Sequence, residues 1–213
     1  MDTPPARLTP RETDVTETEI KIRWDGPASG AQALIERHGY RLTSARTLEI
    51  DQLFDRASGE LKQSDQVLRL RLAHNRETTR ATVTYKGPAT REGYKSREEI
   101  EFEVSDPDAF MLVLDRLGYH PGFRYEKFRS KFSAPNVSGL ITLDETPIGV
   151  FLELEGAKDW IDRTASRLGF SPAAYLTASY ASLYRQHSAD DPHAAPQMTF
   201  SAPKPYSILT KQP

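Results

Sequence analysis

Hydrophobic and polar residues alternate along most of the middle of the chain, which is the pattern of β-strands with one buried face. In residues 15–24 (VTETEIKIRW), Ile20, Ile22 and Trp24 share one side of a strand, and charged residues occupy the other. Similar patterns predict a long or broken strand at 41–55 and further strands at 67–75, 78–88, 95–104, 122–133, 139–145 and 149–155. Because nearly all of these strands are sequential neighbours joined by turns, the sheet is predicted to be mainly antiparallel.

Four other segments have the spacing and end signals of helices. They are residues 30–38, 107–117, 158–168 and 172–186. A glycine follows each of the first two helices, and a Ser-Pro pair begins the last one. Three tyrosines recur at helical spacing in that last segment, so Tyr175, Tyr180 and Tyr184 are predicted to be packing residues.

The polar faces of the strands are dominated by Glu, Arg and Lys, and the charges are sorted by sign. Arg69-x-Arg71 is purely basic, and Glu153-x-Glu155 is purely acidic. Like charges two residues apart on one face repel each other, which a surface selected for stability would tend to avoid. One interpretation is a two-layer protein whose charged face meets water. The other is a closed sheet whose charged faces line a polar tunnel, where a polyanion and metal ions compensate the buried charge.

Composition narrows the class of protein further. The chain has 213 residues, 38% of them hydrophobic, and a formal net charge of −2, so it fits one domain and gives no sign of a nucleic-acid or membrane partner. It has no cysteine, no long apolar run and no apolar leader, which favours a cytoplasmic protein. The polar, proline-containing ends predict a flexible leader at 1–13 and a proline-rich flexible tail at 188–213, flanking a domain at 14–187.

Seven sequence blocks resemble, in order, the CYTH superfamily of class IV adenylyl cyclases, thiamine triphosphatases and related inorganic triphosphatases. The first block, Glu17-Thr18-Glu19-Ile20-Lys21, matches the E-x-E-x-K signature that opens this superfamily. The others are Leu68-Arg69-Leu70-Arg71, Thr84-Tyr85-Lys86-Gly87-Pro88, Ser96-Arg97-Glu98-Glu99-Ile100-Glu101, Lys127-Phe128-Arg129, Leu143-Asp144-Glu145 and Phe151-Leu152-Glu153-Leu154-Glu155. The resemblance covers roughly residues 15–186, and TYKGP…SREEIEFEV is most similar to the branch named after class IV adenylyl cyclase.

The resemblance implies an α+β fold, a closed antiparallel eight-stranded β-tunnel (the triphosphate tunnel fold) with helices packed outside. By position, the residues that bind the substrate phosphates are Lys21, Arg69, Arg71, Lys86, Lys127 and Arg129. The carboxylates on the metal side are Glu17, Glu19, Glu99, Asp144, Glu153 and Glu155. Catalysis is assigned to Arg129 and Glu101. The chain departs from the family pattern where Phe128 separates two basic residues, and where its last helix offers Arg185 instead of a lysine.

These residue types suit a triphosphate bound with a metal. Arginine binds phosphate oxygens bidentately and lysine acts as a point charge, while hard carboxylate oxygens suit Mg²⁺ or Mn²⁺. Residues two apart point to the same side of a strand, so Glu17 and Glu19 could share one ion, as could Glu153 and Glu155.

The resemblance therefore implies a metal-dependent enzyme that converts ATP to cyclic AMP and pyrophosphate. An inorganic or thiamine triphosphatase is the alternative, with inorganic triphosphate or thiamine triphosphate as substrate. A non-catalytic polyphosphate- or nucleotide-binding module is a third hypothesis, which the two acidic pairs and the late arginine disfavour. Because related folds often pair, a homodimer is the expected assembly.

Overall fold

The computed structural model describes residues 15–75 and 77–200. The strands in this part of the chain are β1 (Val15–Trp24), β2 (Arg41–Asp55), β3 (Val67–His74), β4 (Thr79–Lys86), β5 (Thr90–Arg91), β6 (Lys95–Glu103), β7 (His120–Ser133), β8 (Leu140–Thr146) and β9 (Gly149–Glu155). The helices are α1 (Ala28–Arg37), α2 (Glu60–Gln63), α3 (Pro107–Arg116), α4 (Lys158–Arg167) and α5 (Tyr180–His187). None of these described helices is both long and apolar enough to cross a membrane.

Eight of the described strands close into an antiparallel barrel. Their order is β1-β9-β8-β7-β2-β3-β4-β6, and β6 pairs with β1 to complete the circle. The short β5 lies beside β6. At the closure, Glu19 lies opposite Lys95 on one side and opposite Glu155 on the other. The predicted closed eight-stranded tunnel with helices outside is therefore confirmed.

The apolar faces of the strands point outward and are covered by helices. One core cluster lies beneath α1 and α4 and includes Ile20, Ile22, Ile35, Leu152 and Ile161. A second lies beneath α3 and includes Ile50, Leu70, Leu72, Val83 and Leu114. Because side chains alternate along a strand, burying these residues outside the barrel turns the charged residues between them inward.

A third apolar cluster lies beneath α5. It contains Ile148, Phe151, Tyr180, Leu183 and Met198. Phe151 has the same strand parity as Glu153 and Glu155, and its ring lies 5.6 Å from the ring of Tyr180. Apolar packing from α5 therefore continues onto the inner face of β9.

The predicted helix at 172–186 is wrong in its first half. Residues Pro172–Ala174 form a 3₁₀ turn, and α5 begins only at Tyr180, where the Ser179 side chain caps the Ser182 amide. Between them, Leu176 exchanges two backbone hydrogen bonds with Lys21. The pairing of β1 with β6 ends at Glu19, so the backbone of Lys21 needs another partner on that edge, and the extended segment supplies it. The short α2 was not predicted either.

Residues 188–200 also differ from the predicted flexible tail. Met198 is fully buried, and its backbone bonds to Arg124 and Glu126 of β7. The pairing of β7 with β8 begins at Phe128, so the earlier part of β7 has a free edge that this segment covers. The ring of Phe200 then packs on that of Phe128 at 5.2 Å. The predicted leader at 1–13 and residues 201–213 lie outside the described residues.

Candidate active site

The inward faces of the barrel strands line one cavity of about 940 Å³. Twelve of the thirteen predicted site residues lie on its wall. They are Glu17, Glu19, Lys21, Arg69, Arg71, Lys86, Glu99, Glu101, Lys127, Arg129, Glu153 and Glu155. Asp144 is the exception, since it is completely buried behind the wall. An open, solvated sheet face, the alternative interpretation of these charges, is therefore excluded.

Asp144 is the centre of a dense group of hydrogen bonds. Its carboxylate accepts from Arg129 Nε at 2.7 Å and Nη2 at 2.5 Å, and from Lys127 Nζ at 2.9 Å. The Tyr180 hydroxyl also donates to it at 2.7 Å. Arg129 Nη2 also donates to Glu153. Burial by itself would lower the pKa of Arg129, but the attraction of Asp144 and Glu153 is stronger and holds that pKa well above its ordinary value. Asp144 thus orients two cations in this state and has no face on the cavity.

Glu19 and Lys21 lie beside this group on β1. Lys21 Nζ is 3.1 Å from Glu153 Oε1 and 3.1 Å from Glu19 Oε1. Lys95 Nζ, from β6, lies 2.7 Å from the same Glu19 oxygen. Burial alone would raise the pKa of Glu19, but Lys21 and Lys95 bring it below its ordinary value. Glu19 of the E-x-E-x-K motif on β1 therefore contacts Lys95, which the sequence analysis did not predict as a site residue.

The arginines of β3 have acidic partners on β2 that the sequence analysis also missed. Arg71 donates to both carboxylate oxygens of Asp51, at 2.8 and 3.2 Å, and lies 3.0 Å from Glu49. Arg69 lies 3.4 Å from Asp51 and donates to the Thr84 hydroxyl at 2.7 Å. The alternation of Leu48, Glu49, Ile50 and Asp51 is the same signal that identified Glu17 and Glu19, and it could have identified this pair.

Together these contacts form one chain of alternating charges around the cavity. In spatial order its members are Lys95, Glu19, Lys21, Glu153, Arg129, Asp144, Lys127, Glu49, Arg71, Asp51, Arg69 and Glu101. Six cations alternate with six carboxylates, so this network is electrically balanced. Glu101, at its end, has a side chain that is 57% exposed and accepts from Thr84 at 2.9 Å.

An acidic corner lies next to the balanced network. Glu99 is paired with Lys86, but the nearby Glu17 and Glu155 have no ion-pair partner among the described residues. Burial, together with the carboxylates of Glu155 and Glu99, raises the pKa of Glu17 to about 8. Burial and the carboxylates of Glu19 and Glu153 likewise raise the pKa of Glu155. This corner therefore holds two neighbouring carboxyl groups that the protein itself does not stabilise in their charged form.

The acidic corner fits a hard divalent cation in its chemistry, because carboxylate oxygens are the ligands that Mg²⁺ and Mn²⁺ prefer. Within the described residues, no three carboxylate or histidine side chains already have the spacing of a complete metal site. Mg²⁺ usually keeps several waters and binds through one or two carboxylates plus substrate phosphates. Glu17 and Glu155 match such an incomplete protein site.

Two tyrosines also belong to the wall, although the sequence analysis assigned Tyr180 to packing. The ring of Tyr180 lies 5.4 Å from Lys21 Nζ and 5.0 Å from Lys127 Nζ. Burial and the neighbouring Asp51 raise the pKa of Tyr125 to about 12. Arg185 of α5 reaches the cavity too, where it donates to Ser182 at 3.1 Å. The helical spacing of the tyrosines could not predict that Tyr180 reaches the cavity, because this depends on where α5 packs against the barrel.

A closed antiparallel barrel whose interior is a network of arginines, lysines and carboxylates defines a protein with a charged tunnel. The sequence of residues 16–164 matches the model of the CYTH domain. The chain therefore belongs to the CYTH family, as the resemblance predicted. Members of this family are adenylyl cyclase-like or triphosphatase enzymes, and their fold binds triphosphate substrates.

Three known proteins are similar to this chain in sequence or in fold. A Methanocaldococcus jannaschii protein, provisionally named an adenylate cyclase, is 29% identical over 139 residues, which cover 65% of this chain and 75% of that protein. A solved structure from Pyrococcus horikoshii is 26% identical with a TM-score of 0.67, covering 80% of this chain and 99% of the other. A Hippeastrum protein, provisionally called an adenylyl cyclase and described as having a dominant triphosphatase activity, has a TM-score of 0.57 at 18% identity, covering 80% and 96%.

Proposed function

We propose that this protein is a metal-dependent enzyme that binds a triphosphate inside the charged tunnel and cleaves one of its phosphoanhydride bonds. The observation that carries the proposal is the alternating network of six cations and six carboxylates around one cavity, in which all six cations lie on the cavity wall. Holding so many buried charges is costly for stability alone, since apolar residues of similar volume often stabilise a protein as well or better. The buried charges are explained if a bound triphosphate replaces some of these ion pairs with phosphate contacts.

The charge balance also supports a divalent cation in the complex. A triphosphate carries about four negative charges near neutral pH. The network is balanced, so it offers no net positive charge to these phosphates, and the raised pKa values of Glu17 and Glu155 mark two carboxyls that a divalent cation would stabilise in their charged form. Mg²⁺ or Mn²⁺ at that corner would be held by Glu17 and Glu155, with Glu19, Glu99 and Glu153 close by. The ion would offset charge that develops on the phosphates and activate or orient the attacking oxygen.

The residues of the chain would act by holding the phosphates in place. Arg69, Arg71 and Arg129 present planar guanidinium groups that suit bidentate phosphate contacts, and Lys21 and Lys86 supply point charges. In phosphoryl transfer, positioning and electrostatic stabilisation dominate catalysis. Asp144 would keep the Arg129 guanidinium oriented, and the remaining N–H donors of Arg129 would face the substrate.

Cyclisation of ATP is the first reaction to test. In that reaction the ribose 3′-hydroxyl loses its proton and attacks the α-phosphorus, the bond from that phosphorus to the bridging oxygen breaks, and pyrophosphate leaves. The similarity to the Methanocaldococcus jannaschii protein favours this reaction. The cavity volume of about 940 Å³ lies at the upper end of the range of roughly 300–1,000 Å³ for ligand pockets, which leaves room for a nucleoside.

Hydrolysis of inorganic or thiamine triphosphate is the second candidate. Here water attacks the terminal phosphorus, and a phosphate and a diphosphate separate. The Hippeastrum protein favours this alternative, since it shares the fold and is described as mainly a triphosphatase. Both reactions need the same grip on the phosphates, and they differ in which oxygen attacks.

A substrate panel tests the proposal. The protein would be incubated with ATP, GTP, inorganic triphosphate or thiamine triphosphate, each with Mg²⁺ or Mn²⁺, and cyclic nucleotide, pyrophosphate and phosphate would be quantified. Cyclic AMP and pyrophosphate in equal amounts from ATP identify a cyclase. Phosphate together with an equal amount of the matching diphosphate, without cyclic nucleotide, identifies a triphosphatase. Binding of triphosphates without turnover of any of them would instead support the non-catalytic binding module.

A further inference from the structure

Three lysines surround Glu19, although the family resemblance assigned phosphate binding to only two of them. Lys21 and Lys95 both contact its Oε1 atom, at 3.1 and 2.7 Å, and Lys86 is close enough to lower the pKa of Glu19 as well. We infer that Lys95 is a further phosphate-binding residue of the tunnel, which Glu19 holds in place until the substrate arrives. This inference rests on the proposed function, because it concerns the same cavity.

Lys95 is positioned from both sides. It begins β6, lies directly opposite Glu19 in the sheet and is only 6% exposed, yet it lies on the cavity wall. The preceding Tyr94 donates to Asp162 of α4 at 2.6 Å. Arg97, two residues later, donates to backbone carbonyl oxygens, at 2.8 Å to Gly87. With both neighbours anchored to other parts of the fold, the Lys95 ammonium is preorganised at the wall.

The charge of Lys95 is incompletely compensated. Lys21 forms ion pairs with two carboxylates, Glu19 and Glu153. Among the described residues, Lys95 forms an ion pair with one carboxylate, that of Glu19. One carboxylate oxygen is therefore shared by two ammonium groups. A phosphate oxygen would supply that missing charge, and a lysine ammonium has donors to spare for it.

A purely structural role is the competing explanation. In that case Lys95 only neutralises Glu19, and removing Lys95 has no effect on phosphate binding once Glu19 is also neutral. The two explanations therefore separate in a Glu19→Gln background. Measuring in a chelator removes any contribution of metal binding at Glu19, so the readout is the affinity for the anion itself.

The experiment compares the full-length Glu19→Gln protein with Glu19→Gln/Lys95→Gln by calorimetric titration with inorganic triphosphate in chelator. We expect the double variant to bind about ten- to hundredfold more weakly, the loss typical of one charge-assisted contact. Glu19→Gln/Lys95→Arg keeps the charge and should bind like Glu19→Gln. Glu19→Gln/Arg163→Gln, which removes a cation of α4 whose side chain is 67% exposed, is the control for a lost surface charge and should bind like Glu19→Gln. Thermal unfolding of each variant shows that it is folded.

Equal affinity of Glu19→Gln with and without Lys95→Gln would overturn the inference and leave the proposed function intact. Failure of Glu19→Gln to bind in chelator would also overturn it, since the lysines would then not hold phosphate by themselves. Wild-type protein that binds no triphosphate even with Mg²⁺ would overturn both this inference and the proposed function. A double variant that does not fold is replaced by Glu19→Gln/Lys95→Met, which keeps the apolar stem of the side chain and carries the same expectation.

Discussion

Replacing Arg129 with lysine tests the most densely connected residue of the tunnel. The substitution keeps the positive charge but removes the planar fork that binds Asp144 through Nε and Nη2 and that also reaches Glu153. A lysine ammonium at this position can keep one of these carboxylate contacts. Asp144 is completely buried, so a lost partner there is not replaced by bulk water.

The expected cost follows from these contacts. A hydrogen bond to a charged group contributes about 1.5–3 kcal/mol, and about two of them are lost. Because the Arg129 side chain is 11% exposed and borders the cavity, water offsets part of that loss, so we expect the unfolding free energy to fall by about 2–4 kcal/mol. For a protein of this size, that corresponds to a melting temperature lower by roughly 5–15 °C.

Arg46→Lys is a matched control. Arg46 also binds a carboxylate with two nitrogens, at 2.6 and 3.2 Å from Glu145, but its side chain is 51% exposed. Exposed pairs contribute about 0–1 kcal/mol, so its melting temperature should change little.

Both variants would be measured by thermal unfolding and urea titration in chelator, and turnover would be assayed with Mg²⁺ on separate aliquots of the same preparations. We expect turnover to fall about ten- to hundredfold in Arg129→Lys and to be unchanged in Arg46→Lys. Equal melting temperatures for the two variants would refute the account of the Asp144 cluster. Unchanged turnover of Arg129→Lys would refute its role in binding phosphate.

Three further predictions concern the metal, the acidic corner and α5. Turnover should be abolished by EDTA and restored by Mg²⁺ or Mn²⁺. Glu153→Gln should need a higher metal concentration for its half-maximal rate. Full activity in EDTA would contradict the metal roles. The pKa of Glu17 is raised from 4.5 to about 8 in the fold, so wild-type protein in chelator should lose stability as pH rises between these values. Glu17→Gln should lack that loss, so its melting temperature should exceed that of the wild-type protein by an amount that grows with pH. A difference that stays constant with pH would contradict the raised pKa of Glu17. Tyr180→Phe removes a buried hydrogen bond to Asp144 and should cost about 1–3 kcal/mol in urea unfolding; no change would show that the hydroxyl is not coupled to Asp144.

Much of the barrel could be predicted because a strand has a period of two. Once Leu70 and Leu72 are assigned to the apolar face, Arg69 and Arg71 must point to the opposite side. The helix at 107–117 was predictable for a similarly local reason, since Asp106 caps its first turn and Gly118 follows its end. The error at 172–186 has the opposite cause. The extended residues before α5 pair with Lys21, and no local signal reports that distant edge.

The sequence by itself determined which side chains share one face of a strand, because each strand's alternation needs no knowledge of its neighbours. Only the tertiary structure decided which of those charges meet. Glu19 contacts Lys95 across 76 positions of the chain, and the Tyr180 hydroxyl contacts Asp144 across 36. Both contacts depend on the register at which the barrel closes and on the docking of α5, which are set by long-range pairing and apolar packing. The same closure placed Asp144 behind the wall and, within the part of the chain that the structure describes, left Glu17 and Glu155 without an ion pair, so the raised pKa values of these two carboxyls arise only in the folded chain.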